Sequence, residues 1–211
     1  MTSKPNKSER TDLTGHEVLV GVCGGIAAYK VCEVVSTLAQ RGAGVTVAMT
    51  KAARRFVGPV SFQALSGRPV LTNLWHAQEA AGVQHVTVTD AADLLLIAPA
   101  TANIIGKIAG GIADDLVSTL VISAGSPVVL APAMNERMWA NPVVQRNVTT
   151  LSELGFKLVG PGEGWLACRG VGPGRMAEAS EILDAIIPML KAKPAKTIAK
   201  EEWQLRKGKK A

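Results

Sequence analysis

The sequence predicts a three-layer α/β fold, a doubly wound parallel sheet within a single domain. Short, continuously apolar stretches alternate with longer stretches whose apolar residues recur at helical spacing. The short stretches are apolar throughout, which is typical of parallel strands that helices cover on both faces. With 211 residues, 47% of them hydrophobic, the chain is long enough for one such domain with a well-buried core.

The first strand–helix–strand unit begins near the N-terminus. Glu17–Cys23 is an apolar stretch that ends at two glycines and predicts the first strand. Ala27–Gln40 has apolar residues at helical spacing and predicts a helix that ends before Gly42. Val45–Met49 predicts the second strand. This order of elements is the unit from which parallel sheets are built.

The same alternation continues along the chain. The further predicted strands are Asp93–Ala98, Val128–Ala131 and Phe156–Val159. The further predicted helices are Ile104–Ile122 (interrupted at Gly110 and Gly111), Pro142–Leu154 and Glu178–Leu190. We expect the domain to span residues 17–190, between a flexible N-terminal segment (1–16) and a basic C-terminal tail (191–211).

The net charge of +6 is concentrated in the tail. Residues 191–211 contain eight Lys or Arg and two Glu, whereas residues 17–190 have a net charge of −1. A nearly neutral domain lacks the broad basic face that binding to a nucleic-acid backbone requires. The longest apolar stretches fall far short of the roughly 18 residues of a membrane span. We therefore expect neither a nucleic-acid nor a membrane partner.

Cysteine usage and charge content indicate the compartment and the assembly. Cys23, Cys32 and Cys168 do not suggest a disulfide framework, and the polar N-terminus does not suggest a signal peptide. We therefore expect a cytoplasmic protein.

The three Cys and three His are scattered, which argues against a metal site. The charged fraction of 19% is low for a globular protein and favours buried contacts between subunits.

Ligands of open parallel sheets bind beyond the carboxyl ends of the strands. The segments that follow the first four predicted strands, 23–28, 50–51, 99–103 and 132–135, are rich in small residues, hydroxyls and amides. Such segments let backbone amides approach a phosphate closely. The first turn is not G-x-G-x-x-G, and the second strand ends in Met-Thr-Lys without the acidic residue that binds an adenosine ribose. The pattern favours a mononucleotide-type cofactor over NAD or ATP.

Two further residues are candidates for chemistry. Cys168 lies in a segment with five glycines among residues 162–174, which predicts a mobile flap. A thiol with a pKa of about 8.5 is mostly protonated at neutral pH, so the flap could deliver a proton donor. The alternative is an idle loop cysteine. His85 lies eight residues before a predicted strand, where a half-buried structural histidine is an equally good interpretation.

Six short motifs occur in order between about residues 17 and 190. They are G-G-I-A-A-Y-K (24–30), His85, P-A-T-A-N (99–103), G-I-A-D-D-L (111–116), P-A-M-N-E-R-M-W (132–139), and L-A-C (166–168) with G-R-M (174–176). Together they resemble the homo-oligomeric flavin-containing cysteine decarboxylases. The P-x-M-N-x-x-M-W motif combined with the cysteine flap is the most specific part of this resemblance.

The resemblance implies a flavodoxin-like, Rossmann-like fold, bound FMN, and a homotrimer or trimer-based homododecamer with active sites between subunits. The implied activity is decarboxylation of 4′-phosphopantothenoylcysteine to 4′-phosphopantetheine in coenzyme A biosynthesis. It proceeds through thioaldehyde and ene-thiolate intermediates, because oxidation of the substrate's CH₂–SH group places a C=S bond β to the carboxylate. Many bacterial relatives carry a C-terminal synthetase domain, which we do not expect here.

The resemblance also implies roles for individual residues. His85 matches the catalytic histidine, and Cys168 matches the proton donor of the flap. Asn135 matches the asparagine that holds the substrate carboxylate, and Met138 and Ala167 belong to the same substrate site. The implied FMN contacts are Gly24, Gly25, Ile26, Thr50, Lys51, Thr101, Ala102, Asn103, Ile104 and Ala133. Arg169 departs from the pattern, because a smaller residue is expected after the cysteine.

Three other functions stay open. A peptidyl-cysteine decarboxylase of the same family shares the fold and the flavin, but its reaction ends at the oxidised ene-thiol and needs no cysteine flap. A non-enzymatic regulatory relative usually has a long acidic tail, whereas this tail is short and basic. An NAD-dependent oxidoreductase is the third alternative.

Overall fold

The computed structural model describes residues 12–74, 84–167 and 169–195. The strands are β1 (Glu17–Val22), β2 (Gly44–Met49), β3 (Leu94–Ala100), β4 (Val128–Pro132), β5 (Lys157–Leu158), β6 (Gly162–Trp165) and β7 (Val171–Arg175). The helices are α1 (Val31–Gln40), α2 (Pro59–Ser66), α3 (Gln84–Ala91), α4 (Ala102–Ala109), α5 (Leu116–Ile122), α6 (Glu136–Trp139), α7 (Pro142–Glu153) and α8 (Ala179–Lys191).

The first five strands form one parallel sheet of order β2-β1-β3-β4-β5. This is the flavodoxin-like strand order, so the predicted fold class is confirmed. The other two strands form a separate antiparallel pair, the β6–β7 hairpin. Within the described parts of the chain, no helix combines the length and the apolarity that crossing a membrane requires.

The two faces of the sheet explain why its strands are apolar throughout. Successive strand residues point to opposite faces, so both sets of side chains need a partner. Val18, Val20 and Val22 of β1 belong to a core cluster that also contains α1 and α8. Leu19, between them, belongs to a second cluster that contains α4 and α5. Both faces are therefore covered by helices, which makes the three predicted layers.

Several elements differ from their predicted limits for identifiable reasons. The helix predicted over Ile104–Ile122 is two helices, because α4 ends at Gly110 and Asp115 caps the start of α5. The helix predicted from Ala27 opens with a 3₁₀ turn, Ile26–Lys30, before α1 begins. Three helices, α2, α3 and α6, were not predicted, and the glycine-rich segment predicted as a flap forms the β6–β7 hairpin.

Packed residues extend beyond both predicted limits of the domain, 17 and 190. Leu13 is fully buried, and the carboxylate of Asp12 accepts hydrogen bonds from Arg41 and pairs with Lys191 at 2.8 Å. At the other end of the chain, Lys193 Nζ donates to the backbone oxygen of Asp93 at 2.9 Å. These contacts add residues 12–16 and 191–193 to the folded body.

Asp12→Asn is expected to lower the free energy of unfolding by about 1 kcal/mol at pH 7. Hydrogen bonds from Arg41, assisted by Lys191, hold the pKa of Asp12 below its usual value of 3.8. A carboxylate whose pKa is lower in the folded state makes its full contribution to the free energy of unfolding above about pH 4, the usual pKa of an Asp. This contribution is lost as the pH falls toward the lower pKa of the folded state. Urea unfolding between pH 7 and pH 3 should show the difference from the unaltered protein shrink. Asp184→Asn, at an exposed position on α8, is the control.

Candidate functional site

A cleft of about 910 Å³ lies at the carboxyl edge of the sheet, beyond the ends of β1, β3 and β4. Its volume is in the range of roughly 300–1,000 Å³ that is usual for cofactor and ligand sites. The lining residues are Gly24, Gly25, Ile26, Ala27, Tyr29, Lys30, Thr101, Ala102, Asn103, Ala133, Met134, Asn135, Met138, Trp165, Leu166, Ala167, Gly174, Arg175 and Met176. Most of these side chains are small or apolar.

The turn after β1 forms one wall of the cleft, and it depends on Gly24. A Cβ atom at Gly24 would lie 2.4 Å from the Cβ of Ala52 and 2.9 Å from its carbonyl carbon. The glycine therefore lets the turn after β1 pack directly on the turn after β2. Thr50 joins the same arrangement, because its N–H donates to the oxygen of Val22 at 3.0 Å and its Oγ1 accepts from Ala53 N at 3.1 Å.

The N-terminus of α4 forms a second wall. Thr101 caps this helix, and its Oγ1 accepts from the backbone N–H of Ile104 at 3.4 Å. Ala102 and Asn103, in the first turn, line the cleft. Backbone N–H groups in the first turn of a helix have no partner within the helix, so this wall suits an anion.

The loop between β4 and α6 forms a third wall. Ala133 N donates to the oxygen of Ala100 at 3.0 Å, which ties the loop to the end of β3. Asn135 caps α6, and its Oδ1 accepts from the N–H of Arg137 at 2.8 Å. This hydrogen bond fixes the orientation of the Asn135 amide. Met138, one turn further on, lines the cleft and is 47% exposed.

The β6–β7 hairpin closes the cleft from the side of that loop. Met134 N donates to the oxygen of Gly174 at 2.9 Å. Gly174 has a φ of +123°, and a Cβ there would lie 2.4 Å from the oxygen of Met134. The backbones therefore touch, which only glycine permits. Leu166 and Ala167, at the connection between the two strands, line the cleft.

Two cationic side chains also line the cleft, and one carboxylate pairs with both. Lys30 Nζ donates to the two carboxylate oxygens of Glu178 at 3.1 and 3.2 Å, and the guanidinium of Arg175 pairs with the same carboxylate. The hydrogen bond from Lys30 holds the pKa of Glu178 below its usual value, with Arg175 adding to the effect. The carboxylate is therefore ionised at neutral pH.

The structure brings most of the predicted site residues together. Those that line the cleft are Gly24, Gly25, Ile26, Thr101, Ala102, Asn103, Ala133, Asn135, Met138 and Ala167. Thr50 and Lys51 are not lining residues; they precede Ala52, which packs behind Gly24. Ile104 is 1% exposed with its side chain in the core, so any ligand contact would come from its backbone.

The other two predicted catalytic residues are His85 and Cys168. His85 is the second residue of α3, and its side chain lies outside the described residues. Cys168 also lies outside them. Of the other two thiols, Cys23 is buried and Cys32 is half-buried, and burial raises the pKa of both.

Several lining residues were not among the predicted site residues. Tyr29 and Lys30 close the G-G-I-A-A-Y-K motif, and Arg175 and Met176 belong to G-R-M. The sequence motifs thus include these four residues, but the motifs alone do not indicate what each residue does in the cleft. Within the described ranges, no group of three or more His, Cys, Asp or Glu is arranged to hold a metal ion.

Sequence comparisons place the chain among known proteins. A profile of the family described as Flavoprotein matches residues 6–191. The chain is 47% identical over 171 residues to the coenzyme A biosynthesis bifunctional protein CoaBC of Bacillus subtilis, covering 81% of this chain and 42% of the relative. It is 43% identical over 175 residues to CoaBC of Escherichia coli, covering 83% and 43%. The chain thus spans less than half the length of these curated relatives.

Solved structures with the same fold include enzymes and an FMN-binding protein. The FMN-dependent cysteine decarboxylase SpaF has a TM-score of 0.73 and 37% identity, with 84% of this chain and 98% of that chain covered. A cysteine-to-serine mutant of PPC decarboxylase with pantothenoylaminoethenethiol has a TM-score of 0.75 and 32% identity, with 83% and 98% covered. The FMN binding protein AtHal3 has a TM-score of 0.73 and 32% identity, with 85% and 99% covered.

Proposed function

Because the chain belongs to the Flavoprotein family, we propose that it binds FMN and decarboxylates 4′-phosphopantothenoylcysteine to 4′-phosphopantetheine in coenzyme A biosynthesis. The observation that carries this proposal is the convergence of four separate motifs on one cleft. These are residues 24–30, 101–103, 133–138 and the hairpin segment 165–176. The relatives named for coenzyme A biosynthesis and the solved PPC decarboxylase support the choice of reaction.

The residues of the cleft fit FMN. Gly24 and Gly25 line the cleft and present only backbone to it, and the first turn of α4 offers N–H donors. Ile26, Met134 and Trp165 supply apolar surface for an aromatic ring system. When bound, FMN would take two electrons from the substrate's CH₂–SH group and return them after CO₂ has left.

Asn135 holds the substrate carboxylate in this proposal. A carboxylate only accepts hydrogen bonds, so it would bind to the Nδ2 donor of this amide, whose orientation the hydrogen bond at Oδ1 fixes. A neutral amide orients the carboxylate without the full ion pair that would stabilise the charge which decarboxylation must discharge. Met138 and the β6–β7 hairpin cover this part of the cleft and limit access of water.

His85 and Cys168 act on protons in the same proposal. His85 accepts the proton of the substrate thiol, and Cys168 donates the proton that completes the product. The position of Cys168 in the chain supports its role, because Leu166 and Ala167 directly before it line the cleft. Further FMN contacts are proposed at two places: Thr50 and Lys51, which follow β2, and the backbone of Ile104, in the first turn of α4.

The assembly and the compartment are also proposals. A homotrimer or trimer-based homododecamer with active sites between subunits agrees with the low charge content of the chain. The proposed cytoplasmic compartment rests on the cysteine usage, which does not suggest a disulfide framework. Large apolar side chains are exposed near the cleft, including Trp165 (64%) and Val171 (70%) of the hairpin. A second chain packed on this surface would remove them from water.

The activity is tested by supplying the purified protein with 4′-phosphopantothenoylcysteine and identifying the products by mass. Release of CO₂ together with 4′-phosphopantetheine is the expected result. The similarity to SpaF makes a peptidyl-cysteine decarboxylase the second candidate. That alternative predicts CO₂ only from a peptide with a C-terminal cysteine, and an ene-thiol product, which would refute the proposed function.

Cys168→Ser is expected to slow formation of 4′-phosphopantetheine about 100-fold, because a serine hydroxyl is a much weaker acid than a thiol. Oxidation and CO₂ loss should still occur. Under anaerobic conditions, about one equivalent per site of a product two hydrogens lighter should accumulate, measured by mass spectrometry. Cys32→Ser, a half-buried position on α1, is the control. Normal phosphopantetheine formation by Cys168→Ser would refute the role of this thiol.

A further inference from the structure

Lys30 and Arg175 are the only fully charged side chains among the described residues that line the cleft. Lys30 ends the 3₁₀ turn that follows the Gly24–Gly25 wall, and Arg175 ends β7. The remaining lining residues are small, apolar, or carry amide and hydroxyl groups. A largely apolar cleft whose charged side chains are both positive is suited to a ligand with an anionic group.

Glu178 brings the two cations together and cancels one of their two positive charges. Its carboxylate accepts from Lys30 at 3.1 and 3.2 Å and pairs with Arg175. Its backbone is held in turn, because Glu178 N donates to Glu181 Oε2 at 2.7 Å in the capping box of α8. Two cations and one carboxylate leave a net charge of +1 at the cleft. Lys30 is 17% exposed, so its charge is placed in the cleft rather than in bulk water.

FMN and the substrate each carry a phosphate group, and the cleft offers different hydrogen-bond donors to the two. The phosphate of FMN has the backbone amides of the glycine turn and of the first turn of α4. The phosphate of the substrate lies at the opposite end of that molecule from the reacting cysteine, and no residue discussed so far binds it. Lys30 and Arg175 supply what a phosphate monoester requires, namely a point charge and a planar fork of N–H donors.

On the basis of the proposed function, we infer that Lys30 and Arg175 bind the phosphate group of the substrate and make the enzyme selective for phosphorylated substrates. Because the phosphate does not react, this contact stabilises the bound substrate and the transition state equally. Its loss should therefore raise KM and leave kcat nearly unchanged.

The test compares two substrates on the FMN-loaded protein, 4′-phosphopantothenoylcysteine and its dephosphorylated analogue. Lys30→Met and Arg175→Met keep the apolar stem of each side chain and remove its charge. Each variant is expected to raise KM for the phosphorylated substrate about tenfold, with kcat within about twofold. KM for the dephosphorylated analogue should not change. Arg146→Met, at an exposed position on α7, should alter neither value.

A binding measurement separates this contact from a structural role. Calorimetric titration of the holoprotein should give about tenfold weaker binding of 4′-phosphopantetheine to each variant, and unchanged binding of pantetheine. Equal losses for both ligands would overturn the inference, because they would indicate a general distortion of the cleft. Weaker FMN binding with unchanged substrate binding would also overturn it, because the pair would then serve the cofactor phosphate.

Failure of the inference can be told apart from failure of the proposed function. An unaltered holoprotein that decarboxylates both substrates with equal kcat/KM would refute phosphate selectivity and leave the decarboxylase proposal intact. An unaltered holoprotein that decarboxylates neither substrate would refute the proposed function. If a variant does not fold, competition on the unaltered protein still decides: phosphopantetheine should inhibit at about tenfold lower concentration than pantetheine, and equal inhibition contradicts the inference.

Discussion

Gly24→Ala is expected to weaken FMN binding about 1,000-fold and to abolish decarboxylation at ordinary FMN concentrations. The added Cβ would stand 2.4 Å from the Cβ of Ala52 and 2.9 Å from its carbonyl carbon. Both distances are far inside van der Waals contact, and one involves backbone, which cannot rotate away. The turns after β1 and β2 must separate, at a cost of about 4 kcal/mol.

The measurement is a fluorescence titration of the apoprotein with FMN. Gly58→Ala is the matched control, because nothing lies within 4 Å of a Cβ at that position and its φ of −72° suits alanine. The control should bind FMN as the unaltered protein does. Gly24→Ala with undiminished FMN affinity would show that this wall of the cleft does not hold the cofactor.

Gly174→Ala is expected to reduce turnover about 1,000-fold while FMN remains bound. Alanine resists the φ of +123° at this position, and its Cβ would lie 2.4 Å from the backbone oxygen of Met134. The combined cost of about 4 kcal/mol favours separation of the hairpin from the loop that carries Asn135. The Gly24 wall and the start of α4 are unaffected, so the visible spectrum of bound FMN should persist.

Gly162→Ala tests the specificity of this effect within the same hairpin. The nearest atom to a Cβ at Gly162 is the oxygen of Arg175 at 3.9 Å, an ordinary contact. Steady-state kinetics should therefore give near-normal turnover for Gly162→Ala. Full activity in Gly174→Ala would mean that contact between β7 and Met134 is not needed for catalysis.

Local sequence predicted the central sheet because its four longer strands, β1 to β4, are buried on both faces. The stretch that becomes β3 has seven consecutive buried residues, which leaves a continuous apolar run in the sequence. The break between α4 and α5 was visible only as Gly110 and Gly111, whereas the capping of α5 by Asp115 decides where the second helix starts. The family resemblance drawn from short motifs is confirmed by the family profile, which matches residues 6–191.

Elements that depend on tertiary contacts were harder to predict. The stretch Gln84–Ala91 contains V-T-V-T, an alternation of β-branched residues that is typical of a strand, yet it forms α3. The β6–β7 hairpin has no apolar pattern, because its strands are rich in glycine and dock through the backbone at Met134. Lys30 and Glu178 are 148 residues apart, so their pairing leaves no local signal.

Flavin binding in the cleft beside Gly24 underlies the proposed reaction. The most direct test is the visible absorption spectrum of the purified protein, followed by mass identification of the released chromophore. We predict the bands of an oxidised flavin and one molecule with the mass of FMN per chain. A colourless protein that takes up no added FMN would contradict the account.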